Sequence, residues 1–251
     1  MTASGRKERL DKVLVDRGLV PSRERAQRLV MAGAVFAGDQ RLDKPGMKVA
    51  VDGPLEVRGH EHPFASRGGV KLAGALDAVG LDVAGRVCLD VGASTGGFTD
   101  CLLQRGATRV YAVDVGYGQL AWQLREDARV VNLERTNARA MTAASFPETL
   151  DLATIDVSFI SLRLVLPAVV PLLRPGATLV TLVKPQFEVG KGRVGAGGVV
   201  RDPALHAEVL ASVQAASAAL GLTVDALLTS SLTGPAGNRE FFLVLRVPGG
   251  R

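Results

Sequence analysis

The stretch of sequence that decides the fold is VCLDVGASTGGF, residues 87–98. Its first five residues form a short apolar run, which is typical of a strand buried in a parallel sheet. Gly92, Gly96 and Gly97 follow, and glycines there let the backbone turn tightly and approach a ligand before a helix begins. A strand, a glycine-rich turn and a helix in this order predict the first unit of an α/β domain.

The same alternation continues along the chain beyond Arg67. We predict strands at residues 87–91, 110–113, 130–133, 152–155, 178–183, 224–228 and 241–247, and helices at residues 71–79, 98–105, 119–125, 161–173 and 203–220. Repeated β-then-α order implies a mostly parallel sheet with helices on both faces. Apolar residues make up 47% of the chain and aromatic residues only 4%, so the core must consist mainly of Ala, Val and Leu. This composition fits the α/β class.

The N-terminal part of the chain follows a different pattern. Apolar residues at helical spacing predict one helix at residues 9–17 and a second from Ser22, its N-cap, to about Gly33. Short β-like pieces follow at residues 34–37, 47–51 and 55–57. We therefore divide the 251 residues into a small α+β domain at 1–59, a linker at 60–66 and an α/β domain at 67–251.

Basic charge is concentrated at the N-terminus. The whole chain has 30 Lys and Arg against 25 Asp and Glu, a net charge of +5, whereas residues 1–28 alone hold eight basic and four acidic side chains. An anionic partner such as a nucleic acid is expected to meet this end first. A solvated helical face with no partner is the alternative that charge alone leaves open.

The sequence argues against an extracellular, membrane-spanning or metal-binding protein. Cys88 and Cys101 are the only cysteines and no Cys/His cluster has metal-ligand spacing, so we predict neither a disulfide framework nor a metal site. The N-terminal charges precede no apolar segment, and the most hydrophobic stretch, residues 164–173, is short and contains Pro167 and Pro171. We expect no signal peptide, no membrane span and a cytoplasmic location.

The glycine-rich turn also selects a class of cofactor. A dinucleotide-binding turn has the pattern G-x-G-x-x-G, which this turn does not match, so NAD is disfavoured. Its pattern, D-x-G-x-x-x-G-G, is similar instead to the first motif of Rossmann-like methyltransferases that use S-adenosylmethionine (SAM). An ordinary strand-to-helix turn is the alternative. The predicted cofactor-binding residues of the turn are Asp90, Gly92, Ala93, Ser94, Thr95, Gly96, Gly97 and Phe98.

Two later residues support a bound nucleoside. Asp114 ends the second predicted strand of the domain, 24 residues after Asp90, and a carboxylate there can accept hydrogen bonds from both ribose hydroxyls. Asn137 follows the third strand and is placed to read the edge of an adenine. The alternative for Asn137 is a turn residue that bonds to its own backbone.

Three short motifs characterise the N-terminal segment: RLD at residues 9–11, SRERA at 22–26 and GAV at 33–35. With them the segment resembles the S-four-like RNA-binding domain of a ribosomal protein, pseudouridine synthases and tyrosyl-tRNA synthetases. The resemblance implies that the basic face contacts the RNA backbone. The candidate RNA-binding residues are Arg6, Lys7, Arg9, Lys12, Arg23, Arg25 and Arg28.

Five longer motifs extend over the rest of the chain: SRGGVK at residues 66–71, GASTGGFT at 92–99, DVGYGQ at 114–119, DVSFIS at 156–161 and VKPQFE at 183–188. With these motifs the chain resembles the TlyA family. Those proteins join an S-four-like domain to an FtsJ-like methyltransferase and methylate ribose 2′-hydroxyls of ribosomal RNA. The resemblance implies SAM as cofactor, ribosomal RNA or ribosomal subunits as partner, cytidine as the modified nucleoside, and a monomer. It also implies a catalytic tetrad at Lys71, Asp156, Lys184 and Glu240.

The four tetrad residues make chemical sense at these positions. Asp156 and Lys184 end the fourth and fifth predicted strands, where ligands of open α/β sheets bind, and Glu240 precedes the last strand. A ribose hydroxyl is a poor nucleophile at neutral pH. We assign to Lys184 the task of accepting or stabilising its proton, which for a lysine requires burial or a neighbouring cation. Lys71 is the second cation, and the two carboxylates orient the amines; ordinary surface charges are the alternative.

Two further features and two other functions stay open. The loop at residues 190–198 could close over RNA or have no role, and Phe159 and Phe187 could stack on a flipped base or belong to the core. The family is also labelled haemolysin, so a membrane-active protein is one alternative to the methyltransferase. A module that binds SAM and RNA without catalysis is the other.

Overall fold

The chain divides into two compact units, Met1–Glu61 and His62–Arg251. A computed structural model describes residues 6–20, 22–31, 33–57, 63–190 and 192–249. The predicted linker at residues 60–66 lies partly outside the described residues. The domain bounds given by the sequence therefore stay predictions.

The N-terminal unit contains, in its described residues, two helices and five short strands. In chain order they are β1 (Lys7–Arg9), α1 (Leu10–Asp16), α2 (Arg23–Met31), β2 (Val35–Ala37), β3 (Gln40–Arg41), β4 (Lys48–Ala50) and β5 (Leu55–Val57). Strand β1 pairs with β4, and β2 lies between β3 and β5 in a second antiparallel sheet. The helices pack on these sheets through a small core that includes Leu10, Leu14, Val30 and Val35.

The predicted helices of this unit are confirmed. Ser22 caps α2 as expected, since its Oγ accepts a hydrogen bond of 3.2 Å from the backbone N–H of Arg25. Strands β1 and β3 were not predicted. They are only two or three residues long and consist of charged and polar side chains, so they show no alternation of apolar and polar residues.

The second unit alternates strands and helices. Its first half contains α3 (Arg67–Val79), β6 (Val87–Val91), α4 (Gly97–Gln104), β7 (Arg109–Val113), α5 (Trp122–Arg125) and β8 (Val130–Leu133). Its second half contains β9 (Leu150–Ile155), α6 (Leu162–Val169), β10 (Leu173–Val183), α7 (Pro185–Glu188), α8 (Pro203–Ala219), β11 (Thr223–Thr229) and β12 (Phe241–Arg246). Short 3₁₀ turns occur at Ala138–Ala140, Ala143–Ser145, Val170–Leu172 and Ala196–Gly198.

The seven strands form one sheet in the order β11-β12-β10-β9-β6-β7-β8. Neighbouring strands are parallel from β10 to β8, and β12 runs antiparallel to both β10 and β11. From β6 the chain first builds outward through β7 and β8, and then returns to the other side of β6 with β9. The strand order therefore reverses between β6 and β9, and ligands of open α/β sheets bind beyond the carboxyl ends of the strands at such a switch point.

The two faces of this sheet are covered by separate apolar clusters, which confirms the predicted architecture. Alternate residues of β6 and β9 belong to different clusters, because successive side chains of a strand point to opposite faces. One cluster includes Leu89 and Ile155 and packs against α6 and α8. The other includes Cys88 and Leu152 and packs against α3 and α4. Both cysteines of the chain are buried and free.

Four predicted elements of the second unit differ from the structure by three or more residues at one end. The helix expected at residues 119–125 is only Trp122–Arg125, and the backbone N–H groups of Gln119 and Leu120 before it donate to the Glu134 carboxylate (2.9 and 3.2 Å). The helix expected at 161–173 ends at Val169, and the chain passes through a 3₁₀ turn into β10 at Leu173, five residues before the predicted start. The helix expected from residue 71 begins earlier, at Arg67.

Candidate active site

A cleft of about 440 Å³ lies at the carboxyl ends of the parallel strands, beside the switch point. Four loops line it, those that follow β6, β7, β8 and β9. The lining side chains and backbone include Gly92, Ser94, Asp114, Gly116, Gln119, Thr136, Asn137, Arg139 and residues 156–160. Its volume falls within the range of small-molecule and cofactor sites.

The glycine-rich turn follows β6 and forms one wall of the cleft. Gly92 has a φ of +86°, and a Cβ at this position would collide with the backbone carbonyl of Asp156. The backbone N–H groups of Gly92 and Ala93 both bond to the carbonyl of Val113 (2.8 and 3.0 Å). The turn therefore needs glycine for close contact with the end of β9 as well as for its conformation.

Asp114 fastens the loops that follow β6 and β7 to each other. Its Oδ2 accepts a hydrogen bond from the backbone N–H of Ser94 (2.8 Å), and its Oδ1 accepts one from Gly116 (2.7 Å). An ionised carboxylate has about four acceptor positions, so both oxygens keep capacity for further donors. This geometry is compatible with the predicted bonds to two ribose hydroxyls.

Asp90 occupies a different place from the predicted one. Its side chain has no exposed surface, and its two oxygens accept hydrogen bonds from the hydroxyls of Thr99 (2.7 Å) and Thr154 (2.9 Å). Burial raises the pKa of Asp90 to about 6. The structure thus places Asp90 behind the turn, where it joins β6 to α4 and β9, and does not bring it to the cleft.

The rest of the turn also packs behind the cleft wall. Ala93 and Phe98 are buried in the apolar core, where the ring of Phe98 stacks on Phe242 at 6.1 Å between centroids. Gly96 and Gly97 are buried, and Thr95 is exposed with its carbonyl bonded to Ala121. Of the predicted residues of the turn, Gly92 and Ser94 line the cleft.

Asn137 lines the cleft and at the same time makes the turn contact that was its alternative explanation. Its Oδ1 accepts a hydrogen bond of 3.0 Å from the backbone N–H of Arg139 at the start of a 3₁₀ turn. The side-chain amide nitrogen of Asn137 can still donate to a ligand. Both interpretations of this residue are therefore compatible with the structure.

Sequence reasoning missed several lining residues and the residue that shapes their loop. Gln119, Thr136 and Arg139 follow β7 and β8, and polar residues just after strands are the signal that could have indicated them. Glu134 holds the loop after β7. Burial raises its pKa, but hydrogen bonds from backbone N–H groups and from the Arg125 guanidinium together lower it to about 2.

The tetrad residues form two ion pairs at this edge of the sheet. In the first pair, Lys184 Nζ lies 2.5 Å from Asp156 Oδ1 and also donates to the Ser158 hydroxyl at 3.0 Å. Asp156 lines the cleft, and the two charged side chains are 12% and 21% exposed. A base or cation and its orienting carboxylate therefore lie beside the cofactor-sized space.

The second ion pair is more deeply buried. Lys71 Nζ, on α3, donates to Glu240 Oε2 at 2.5 Å, with side-chain exposures of 9% and 1%. Val183 of β10 pairs with Phe241 of β12, so Lys184 and Glu240 each lie one residue beyond the same pair of residues. This burial does not fit the alternative of ordinary surface charges. The catalytic roles assigned to the four residues stay predictions.

The aromatic residues and the glycine-rich loop near this edge have contacts of their own. Phe159 is 91% exposed, adopts a φ of +64° and contacts Phe187 with 5.0 Å between ring centroids. It is therefore no part of the core. In the loop at residues 190–198, Arg193 forms a two-bond ion pair with Glu208 of α8 (2.5 and 2.6 Å). Lys191 lies outside the described residues.

In the N-terminal unit, the candidate RNA-binding side chains are on or next to β1, α1 and α2. Asp11 is fully buried there and accepts hydrogen bonds from Arg9 (2.9 and 3.0 Å), Arg23 (3.1 Å) and Gln27 (2.9 Å). These bonds, of which the one from Arg9 is the strongest influence, hold the pKa of Asp11 far below its usual range. Arg6, Lys7, Arg9 and Arg23 are exposed, whereas Lys12, Arg25 and Arg28 are half-buried.

The described residues contain neither a helix suited to span a membrane nor a side-chain cluster suited to hold a metal ion. None of the helices in this part of the chain is long and apolar enough to cross a membrane. Likewise, no group of three or more His, Cys, Asp or Glu side chains in these ranges is arranged to hold a metal ion.

Comparison with known families returned two matches. The model described as FtsJ-like methyltransferase matches residues 64–247, which include the cleft and both ion pairs. The model described as S4 domain matches residues 8–53.

Individual relatives resemble the chain over nearly its whole length. The 16S/23S rRNA (cytidine-2′-O)-methyltransferase TlyA of Mycobacterium tuberculosis is 52% identical over 96% of this chain and 90% of that protein. Hemolysin A of Brachyspira hyodysenteriae is 38% identical over 93% of this chain and 97% of that protein. A solved structure of a hemolysin-type protein from Streptococcus thermophilus has a TM-score of 0.76 at 45% identity, covering 97% of this chain and 90% of that one.

Proposed function

The chain belongs to the FtsJ-like methyltransferase family and has an S4 domain at its N-terminus, and we propose that it transfers methyl groups from SAM to ribose 2′-hydroxyls of ribosomal RNA. The observation that carries this proposal is the Lys184–Asp156 pair, whose carboxylate lines a cofactor-sized cleft, together with the buried Lys71–Glu240 pair at the same end of the sheet. The M. tuberculosis relative named as an rRNA (cytidine-2′-O)-methyltransferase supports the substrate class, and cytidine is the proposed nucleoside.

The residues of the cleft fit SAM. Asp114 offers carboxylate lone pairs where a ribose would lie, Asn137 offers an amide for adenine, and the turn at Gly92 leaves room for close approach of the backbone. When bound, SAM supplies an electrophilic methyl group on a sulfonium centre. Asp156 and Ser158 line the same cleft, which supports a position of the first ion pair next to SAM in this proposal.

In the proposed reaction, the first ion pair assists the loss of the proton from the ribose hydroxyl. A lysine ammonium has three donors, of which the Ser158 hydroxyl accepts one, while Asp156 is the counter-charge 2.5 Å away, which leaves at least one donor for a substrate oxygen. As an ammonium, Lys184 stabilises the negative charge that develops on the 2′-oxygen, and as a neutral amine it accepts the departing proton. Asp156 holds the amine in place, and Lys71, oriented by Glu240, is the second lysine of the proposed tetrad.

RNA is held by the N-terminal unit in this proposal. Its exposed basic residues Arg6, Lys7, Arg9 and Arg23 contact phosphates, which gives affinity without fixing the sequence. Ribosomal RNA or ribosomal subunits are the proposed partner, which implies a cytoplasmic location, and the proposed active form is a monomer.

A transfer assay with a labelled methyl group tests the proposal. Ribosomal subunits, free ribosomal RNA and a reaction without RNA are compared, and the labelled nucleoside is identified after digestion. Label on a ribose 2′-oxygen that depends on both RNA and SAM is the expected result. Label on a base, or on no RNA at all, would contradict the proposal.

The membrane-active alternative receives its support from the name of the Brachyspira relative. The match to the methyltransferase family model and the two buried ion pairs favour the transfer reaction instead. If the protein lysed erythrocytes, Lys184→Ala would leave lysis unchanged under that alternative, since no methyl transfer is involved.

A further inference from the structure

Glu188 is a buried carboxylate outside the tetrad, at the end of α7, and is 7% exposed. Its Oε2 accepts a hydrogen bond from the Ser161 hydroxyl (2.5 Å), and its Oε1 accepts one from the backbone N–H of Leu162 (2.7 Å). Ser161 and Leu162 form the start of α6. One side chain thus joins the end of α7 to the beginning of α6.

The position of Glu188 at the start of a helix explains why a carboxylate is tolerated there. The first N–H groups of a helix have no partner within the helix, and the helix dipole favours negative charge at this end. The Arg163 guanidinium adds a second favourable charge, with its Nε 3.6 Å from Oε2. Burial nevertheless outweighs these contacts and raises the pKa of Glu188.

The segments that lead into these two helices contain the residues of the first ion pair. Asp156 and Ser158 lie in the loop from β9 to α6, and Lys184 lies between β10 and α7, one helical turn before Glu188. The two segments meet at one end through Lys184 and Asp156, and at the other through Glu188 and Ser161. Between these two contacts the rings of Phe159 and Phe187 touch.

We propose that Glu188 is a positioning residue that fixes the distance between Lys184 and Asp156 by clamping α7 to the start of α6. The proposal rests on the function proposed above and extends it to a residue that does not touch the reacting atoms. Without the clamp, the N–H of Leu162 loses its acceptor and the two segments can separate. Since a misplacement of about 1 Å can lower a rate about 10²-fold, turnover is the property that should respond.

The substitution Glu188→Ala tests the clamp, and Glu188→Gln is its conservative counterpart. A glutamine can accept from the Leu162 N–H through its oxygen and donate to the Ser161 oxygen through its nitrogen, so it retains both links without the charge. Asp151→Ala is the matched control. Asp151 also accepts hydrogen bonds from a backbone N–H (Val87, 2.9 Å) and from an arginine (Arg174, 2.6 Å). It lies near the amino end of β9, however, at the end of the strands opposite to the cleft.

We expect kcat to fall about 10²-fold in Glu188→Ala, with the SAM dissociation constant and the KM for RNA unchanged. Glu188→Gln should recover most of the lost kcat, and Asp151→Ala should lower thermal stability without lowering kcat. Parental kcat in a folded Glu188→Ala protein would overturn the proposal. An equal loss of kcat in Asp151→Ala would do so too, because the effect would then be general destabilisation.

If Glu188→Ala does not fold, Ser161→Ala is tested in its place. This variant removes the hydrogen bond from the Ser161 hydroxyl and keeps the one from the backbone N–H of Leu162 to Glu188. A lower kcat supports the clamp and an unchanged kcat contradicts it. The parental protein in the same assay separates this proposal from the proposed function. If it methylates no RNA, the function fails, whereas parental activity with insensitive variants contradicts only the clamp.

Discussion

The substitution Lys71→Ala should unfold the second unit at a much lower temperature. It removes the partner of Glu240, whose side chain is 1% exposed, and leaves a carboxylate charge with almost no contact with water. Breaking a buried ion pair by removing one partner costs about 3–5 kcal/mol. For a unit of this size, each kcal/mol shifts the melting temperature by about 2–4 °C, so a decrease of roughly 6–20 °C is expected.

The comparison variant is the double substitution Lys71→Met with Glu240→Leu. Replacing both charges by apolar side chains of similar volume is often neutral or stabilising, because neither charge then has to be removed from water. The double variant should therefore regain most of the stability that Lys71→Ala loses, yet it should transfer no methyl groups. The double variant would thus be stable but inactive, so the effects of this pair on stability and on activity could be told apart.

Thermal unfolding followed by circular dichroism, with SAM absent, measures both variants against the parent. Lys184→Ala serves as a further comparison because its partner, Asp156, is 21% exposed and can be solvated after the substitution. We expect it to lose less stability than Lys71→Ala. A melting temperature of Lys71→Ala within 2 °C of the parent, about the shift that 1 kcal/mol produces, would show that the reasoning from burial is wrong.

Three other predictions concern the reaction, the RNA and pH. Lys184→Ala should abolish single-turnover methyl transfer at saturating SAM and RNA, while equilibrium binding of SAM and of RNA stays intact. The reason is that Lys184 acts only as the hydroxyl proton departs. Turnover at the parental rate would contradict this prediction. Removal of residues 1–62 should leave SAM binding, measured by calorimetry, unchanged, but it should weaken RNA binding and reduce the dependence of RNA affinity on salt. An unchanged RNA affinity would show that the N-terminal unit does not bind the RNA. The pKa of Asp90 is about 6 in the folded protein against 3.8 as its ordinary value, so the folded state binds more protons between these values and stability falls as pH rises from about 4 to 6. Denaturant unfolding at several pH values should show a smaller fall in Asp90→Asn than in the parent, and an equal fall would refute the assignment.

The strands and the position of the cofactor turn could be predicted from sequence because they depend on local pattern. Val87–Val91 and Val130–Leu133 were predicted with their observed bounds, since each is a short, mainly apolar segment between polar or glycine residues. The extra length of β10 could not be predicted. Its first residues include Pro175 and Gly176, and they belong to the sheet through pairing with β9 around a register shift.

The pairing of charges in the candidate site could be assigned only in part. The sequence indicated that carboxylates orient the amines, but spacing does not show which carboxylate meets which lysine. Lys71 and Glu240 are 169 residues apart and meet only because α3 and β12 are brought together by the sheet. For Asp90, the position in the motif and the position in the structure lead to different expectations. Its motif position suggests a ligand contact, whereas the hydroxyls of Thr99 and Thr154 take both oxygens within the core.

The antiparallel direction of β12 has a consequence for the order in which the protein matures. Because β12 is antiparallel to β10, its first residues lie at the carboxyl end of β10. Glu240, just before β12, is thereby placed next to Lys71. Among the described residues β12 is the last strand in chain order, and it lies between β10 and β11, which precede it in the sequence. Lys71 therefore has its counter-charge only when β12 has taken its place between β10 and β11.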